Sequence, residues 1–331
     1  MSGGIGGRPV LVTGAGGFIG GHLVERLVRD GANVRALVRY NSRNERGTLD
    51  WMDPEAVRDV DVVLGDLRDA ESVSRAVAGT EVVFHLGAQI AIPYSYVNPR
   101  DYVETNVTGT LNVALAAQAH DVQRVVQTST SEVYGTARQV PITEDHPLEP
   151  GSPYAATKVA ADKLMDSFHR SFGLPVVVLR PFNTYGPHQS ARAVIPTIVS
   201  QALAGDELRL GSLEPRRDLT FVTDTVDGFV RAATSGAAVG RTVQLGTNHD
   251  VSVGDIVETV GAVLGKELRV IQDPERVRPE KSEVMRLISS PALAKELLGW
   301  EPTVPLDEGL RRTIEWIEGS RGRFRTEQYV I

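Results

Sequence analysis

Short runs of aliphatic and β-branched residues alternate along this chain with stretches in which apolar positions recur every three or four residues. The first run, Val10 to Val12, leads into Gly14, Gly17 and Gly20, and from Ile19 the apolar residues follow helical spacing through Leu23, Val24, Leu27 and Val28 to a stop at Gly31. Strand-like runs return at Val34 to Val38, Val60 to Leu64, Val82 to Leu86, Val125 to Thr128 and Val176 to Leu179, with helical patterns between them. Such alternation predicts a doubly wound parallel sheet. Two long helices are expected. One runs from about Asn98 to His120, with Asn98 as cap, Pro99 in the first turn, and Val103, Val107, Leu111 and Ala114 at helical spacing. The other runs from about Pro153 to Phe172, with Ala161, Leu164, Met165 and Phe168 on its apolar side and Tyr154 and Lys158 on its other face.

Beyond Arg180 the clean alternation ends. Shorter elements are predicted at Ala193 to Ala204, Thr220 to Val222, Thr225 to Ala233, Val243 to Leu245, Ser252 to Leu264 and Leu268 to Ile271. The expected division is residues 1–180 as a dinucleotide-binding domain that also carries the reacting side chains, and 181–331 as a smaller substrate region, some of whose elements return to the main sheet. No internal repeat or low-complexity linker interrupts the chain, and the tail RGRFRTEQYVI is expected to be a docked or frayed end.

Composition narrows the function classes. With 35 basic and 42 acidic residues the net charge is -7, which argues against a sequence-independent nucleic-acid binder. The chain contains no cysteine, so a disulfide framework, a thiolate nucleophile and a zinc–thiolate site are excluded, and no metal site is expected. No stretch approaches the ~20 apolar residues of a membrane span. A soluble, unexported, cytoplasmic protein is expected.

Two constellations carry chemistry. The strand, glycine turn and helix around Gly14, Gly17 and Gly20 suit a pyrophosphate, because glycine permits close backbone approach and the new helix presents free N–H groups and its positive dipole end. The stretch QTSTSEVYG, Gln127 to Gly135, stands at the carboxyl end of the fifth strand, where ligands of such sheets bind. Thr130, Ser131 and Glu132 place two hydroxyls and a carboxylate there. Tyr154 and Lys158, four apart in YAATK, share one helical face. A lysine ammonium beside a phenol favours the phenolate, giving a base able to take a proton from a hydroxyl.

These residues resemble a known family. TGAGGFIG, HLGA (His85 to Ala88), NVTGT (Asn106 to Thr110), STSEVYG, YAATK, RPFNTYGP (Arg180 to Pro187), RRDLTFVTD (Arg216 to Asp224) and LGWEP (Leu298 to Pro302) look like the extended short-chain dehydrogenase/reductases that act on nucleotide sugars. The resemblance covers nearly the whole chain and implies an α/β fold: a doubly wound Rossmann-type parallel sheet with a smaller C-terminal mixed α/β substrate region. Thr130, Ser131 and Glu132 resemble the Thr-Ser-Glu of GDP-mannose 4,6-dehydratases, whereas dTDP-glucose 4,6-dehydratases carry Thr-Asp-Glu. AIPYSY (Ala91 to Tyr96), NTYGPHQSARAVIPTIV (Asn183 to Val199) and RPEKSEV (Arg278 to Val284) resemble the UDP-N-acetylglucosamine 4,6-dehydratase group of the legionaminic acid pathway.

The resemblance implies a nucleotide-sugar 4,6-dehydratase with Thr130, Ser131, Glu132, Tyr154 and Lys158 catalytic. Tyr154, with Lys158 and Thr130, would deprotonate the sugar 4-hydroxyl, and Glu132 would take the C5 proton and hand it to the departing 6-hydroxyl. It places Gly14, Gly17, Phe18, Ile19 and Gly20 on the cofactor, with Asp66 and Leu67 by the adenine. Further cofactor contacts are expected from Leu86, Ala88, Gln89, Asn106, Thr128 and Pro181. An acidic ribose ligand is absent after the second strand, where Val38, Arg39, Tyr40, Asn41, Ser42 and Arg43 stand, so the cofactor is NADP or NAD, with Arg39 and Arg43 tilting toward NADP. Arg217 and Arg278 are expected to clamp the diphosphate, with Asn183, Arg192 and Val194 as further substrate contacts. His85 is expected to end a buried strand, and the long helices to form a homodimer surface. A 4-epimerase, a decarboxylase, a 5,6-dehydratase and a non-catalytic NADP-binding sensor remain as alternatives, Glu132 opposing the first and the intact Tyr154–Lys158 pair the last.

Overall fold

A computed structural model describes residues 4–276 and 284–320 of the 331-residue chain. Arg278 and the tail RGRFRTEQYVI lie outside the described residues. Six parallel strands arise from the apolar runs: β1 (Pro9–Thr13), β2 (Asn33–Val38), β3 (Asp61–Leu64), β4 (Val82–His85), β5 (Arg124–Thr128) and β6 (Val176–Pro181). After the short β7 (Asn183–Tyr185), β8 (Glu207–Leu210) and β9 (Arg216–Phe221), the chain returns as β10 (Thr242–Leu245), which pairs in parallel with β6 and completes a seven-stranded sheet of order β10-β6-β5-β4-β1-β2-β3. The strands read as unbroken apolar runs because both faces are covered. Val10, Val12 and Phe84 enter one core, whereas Leu11 and Val83 enter the other, as the two-residue strand period requires. The first core takes Leu23, Val24 and Leu27 from the helix Phe18–Arg29. The second takes Val113 and Ala117 from the helix Gly109–Ala119, with Met165 and Phe168 from the helix Pro153–Phe172.

The helix Pro153–Phe172 follows local rules closely. Ser152 caps it by accepting from the Ala155 N–H at 3.1 Å, Pro153 occupies the first turn, and Gly173 ends it with φ 73°. The other long helix differs from the single element expected. Residues Pro99–Tyr102 are α-helical, Val103–Thr108 form a π-helical turn, and Gly109–Ala119 resume the α-helix. The wide turn spends an extra residue, and such insertions often mark functional positions.

Elements after β6 also build a small sheet in which β9 pairs with β7 and with β11 (Asp250–Ser252), and a two-stranded sheet of β8 with β12 (Arg269–Gln272). Buried Asp218 fastens this region: its carboxylate accepts from the Thr247 N–H at 2.7 Å and from the Ser289 N–H and hydroxyl at 3.0 and 2.6 Å.

Candidate active site

Strand order reverses where β1 lies beside both β2 and β4, and a cavity of about 970 Å³ opens beyond the carboxyl ends of these strands. Gly14, Gly17, Phe18, Ile19 and Gly20 line it at one end. A side chain at Gly14, where φ is +70°, would bring its Cβ within 2.7 Å of the Gly87 nitrogen, and one at Gly20 within 2.1 Å of the Gly14 carbonyl. This bare backbone, opening the helix Phe18–Arg29, is a cradle for a pyrophosphate and fits a dinucleotide.

Arg39, Asn41, Asp66 and Leu67 line the end beyond β2 and β3, but Ser42 and Arg43 do not. Arg43 lies 3.7 Å from Glu45, and the loop turns back because the Asn41 side chain bonds the Arg43 and Glu45 backbone. Asn41 is therefore committed to its own loop. Arg39 is 67% exposed and reaches only to 3.9 Å from Asp66, so it can turn to a ligand. The Asp66 carboxyl is held below its usual range chiefly by its hydrogen bonds from Arg68.

Leu86, Ala88, Gln89, Thr128 and Pro181 form the floor at the ends of β4, β5 and β6. Buried His85 ends β4, as expected, bonding Thr13 at 2.7 Å and Thr110 at 3.1 Å, and burial pushes its imidazole down to about 3. Asn106 departs from its expected place on the cofactor. It lies in the π turn, accepts from the Gln89 N–H at 2.8 Å, and donates to the Gln89 carbonyl and the Thr157 hydroxyl, both at 3.0 Å. Its amide fixes the Gln89 loop from behind.

Thr130, Ser131, Glu132 and Tyr154 converge on the middle of the cavity. Thr130 accepts from the Glu132 N–H at 3.2 Å, starting a 3-10 turn over Ser131–Tyr134, and its side chain stands beside the Tyr154 phenol, where it acts to lower the phenol's pKa. Lys158 lies beneath, 5% exposed, donating to the Thr128 carbonyl at 2.6 Å. That geometry changes one expectation. Burial pushes the Tyr154 phenol up, with the Glu132 charge adding to it, while the Thr130 side chain only partly opposes the rise. Burial also pushes the Lys158 ammonium down to about 8, against the attraction of Asp162. Lysine in this state spends its hydrogen bond on a backbone carbonyl, so desolvation outweighs the expected lowering of the tyrosine. The Tyr102 ring packs edge-on against Tyr154 with centroids 6.3 Å apart, and the Tyr102 hydroxyl donates to the Ala91 carbonyl at 2.5 Å.

Asn183, Arg192, Val194 and Arg217 line the far end. Sequence reasoning missed three contributors there: Gln189, Ser212 and Arg276. Gln189 donates to the Thr184 carbonyl at 3.0 Å, while its side-chain oxygen and that of Asn183 are buried without a hydrogen-bond partner. Buried acceptors of this kind call for a ligand hydroxyl or a water. The motif NTYGPHQSARAVIPTIV contains Gln189 and was the available signal, whereas Arg276 comes from a segment with no distinctive pattern.

The family model for GDP-mannose 4,6 dehydratase matches residues 11–313. A UDP-glucose 4-epimerase of Mycolicibacterium smegmatis is 36% identical over 92% of this chain and 97% of its own length. A dTDP-glucose 4,6-dehydratase of Xanthomonas campestris pv. campestris is 31% identical over 92% of both chains. The crystal structure of DesIV, a dTDP-glucose 4,6-dehydratase from Streptomyces venezuelae with NAD bound, superposes with a TM-score of 0.86 at 31% identity, covering 96% of this chain and 99% of that one.

Proposed function

Because the chain belongs to the GDP-mannose 4,6-dehydratase family of NAD(P)-dependent nucleotide-sugar enzymes, we propose that it converts a nucleotide hexose to the 4-keto-6-deoxy sugar, with UDP-N-acetylglucosamine as the preferred substrate. The observation that carries this reading is Glu132, a carboxylate facing the same cavity as Tyr154 and tied to it through Thr130. Oxidation at C4 alone needs no second base. A carboxylate at that point supplies one for C5.

Tyr154 accepts the proton of the sugar 4-hydroxyl through the hydroxyl chain it shares with Thr130. Lys158, one helical turn away, adds positive charge beneath it. When bound, the oxidised dinucleotide supplies a positive charge that favours the Tyr154 phenolate and a site that takes a hydride from C4 and returns it to C6, so no net oxidation results. The ketone at C4 acidifies C5. Glu132 removes the C5 proton and delivers it to the leaving 6-hydroxyl as water departs, a solvent proton replaces it at C5 once C6 is reduced, the proton taken by Tyr154 returns to solvent, and Ser131, buried beside Glu132, orients by hydrogen bonding. Asn183, Arg192 and Arg217 would hold the sugar and diphosphate. Arg39 favours NADP at the ribose end. The enzyme is proposed to work in the cytoplasm as a homodimer, supported by Val103 and Leu115, 50% and 49% exposed on consecutive helical segments. Sedimentation at micromolar concentration should give twice the chain mass, and a monomer would refute the dimer.

The 36% identity to a 4-epimerase favours one second reading. Deuterium at C4 separates the two. A 4,6-dehydratase moves it to C6 of the same molecule while C5 takes label from heavy water. An epimerase returns it to C4, and that result after complete turnover rejects dehydration, whichever sugar is used.

A further inference from the structure

Three consecutive residues at the end of β5 are each fastened to the same helix. The Thr128 carbonyl accepts from Lys158 at 2.6 Å, the Ser129 hydroxyl donates to Asp162 at 2.6 Å, and the Thr130 side chain meets Tyr154. Tyr154, Lys158 and Asp162 stand four residues apart on the helix Pro153–Phe172, hence on one face, and all three are buried. The middle rung lies between the two others, so a shift at Ser129 moves both Thr128 and Thr130.

Asp162 has no role in the chemistry described so far. Its carboxylate accepts from Arg180 on β6 at 3.0 and 3.3 Å, and the two side chains are 4% and 5% exposed. Arg180 also donates to the Tyr134 hydroxyl at 3.1 Å and lies over the Tyr134 ring, whose hydroxyl bonds Gln244 at 3.1 Å. Buried ion pairs seldom add net stability over apolar packing, so a pair placed one turn below a reacting lysine invites another explanation.

We infer that Asp162 is a positioning residue of the reaction: with Ser129 and Arg180 it forms the third rung that registers the strand end against the helix, and its carboxylate is the counter-charge for the Lys158 ammonium. This rests on the proposed roles of Tyr154 and Lys158. The opposing directions at Lys158, down by burial and up by Asp162, agree with it. Of the other groups near this face, Arg180 is positively charged and paired to Asp162, which offsets part of the carboxylate's pull on Lys158. His85 faces it from β4 and is held neutral by burial, and Tyr154 shares its helix. Glu132 approaches through Tyr154. Tyr102 packs on the far side of Tyr154, and Tyr134 and Glu144 cluster around Arg180. Asp162 is the carboxylate on the lysine's own helical face.

The test uses cofactor-loaded protein and follows the Lys158 side-chain carbon signal by NMR against pH, assigned with Lys158→Arg. Asp162→Asn keeps the shape and the hydrogen-bonding oxygen but removes the charge. Its lysine midpoint should fall, leaving the ammonium form roughly ten-fold less populated at alkaline pH, and the alkaline limb of kcat/KM should move to lower pH with it. Ser129→Ala should leave that midpoint in place and slow kcat about three- to ten-fold at every pH, because it loosens only the rung. A folded Asp162→Asn protein with the wild-type midpoint overturns the proposal, as does Ser129→Ala with wild-type kcat. Should Asp162→Asn alone not fold, because Arg180 is left unpaired, the double variant Asp162→Asn, Arg180→Gln is compared with Arg180→Gln alone, and an equal lysine midpoint in the two is equally decisive. The NMR readout needs no turnover, so absence of dehydration in the wild type would sink the proposed reaction without deciding the role of Asp162.

Discussion

Replacing Lys158 by methionine should change the pH dependence of folding in a direction and by an amount that the site dictates. The ammonium is buried, and its pKa falls from 10.5 to about 8, chiefly through lost hydration. Between those values the unfolded chain carries a proton on Lys158 that the folded chain has released. Folding therefore becomes more favourable as pH rises through that window, and below it the whole cost of burying the charge is present. The pH-dependent part is on the order of 3 kcal/mol. Methionine keeps an unbranched apolar stem and does not titrate. Urea unfolding of cofactor-free wild type and Lys158→Met, run from about pH 7 to about pH 10.5, should show the variant losing ground to the wild type by that amount as pH rises. Taking the difference cancels every group whose titration the substitution leaves alone. Loss of the bond to Thr128 shifts the offset between the two curves but not its pH dependence. A difference constant with pH would refute the argument that burial controls this lysine.

Glu132→Gln should still bind nucleotide sugar and oxidise C4, because the Tyr154–Lys158 pair is intact, so reduced nicotinamide absorbance should appear on adding substrate while water loss slows ~10²- to 10⁴-fold. Normal product formation would remove Glu132 from the mechanism. Arg39→Asp should weaken NADP more than NAD, since a charge-assisted contact contributes roughly 1.5 to 3 kcal/mol. Extraction of mainly NAD from the wild-type protein would contradict the NADP assignment.

The parallel sheet was legible because its signal is local. A strand buried on both faces must be apolar throughout, and the switch from such a run to three-and-four spacing after Gly20 follows from chain geometry alone. The glycine cradle was legible for a related reason: Gly14 and Gly20 are required by backbone closeness, which no other residue type satisfies. Side-chain destinations were harder, because they are settled by what the rest of the fold brings alongside. Asn106 was expected on the cofactor, but the π turn aims its amide at Gln89. Lys158 was expected to act on Tyr154 directly, but burial turns its hydrogen bond to Thr128.

Asp162 shows where pattern reading stops. Eight residues after Tyr154, in YAATKVAAD, a lone aspartate on a helix is indistinguishable in sequence from a solvated face, which is where such residues usually belong. Its meaning comes from Ser129 at the end of β5 and Arg180 on β6, 33 and 18 residues away, which reach it only because those strands are neighbours. A motif of fixed spacing can record Tyr154 and Lys158, since one helix places both. The carboxylate that completes their setting is recorded only in the pairing of two strands with that helix, and this is why a charge pair so deeply buried left no mark that spacing could reveal.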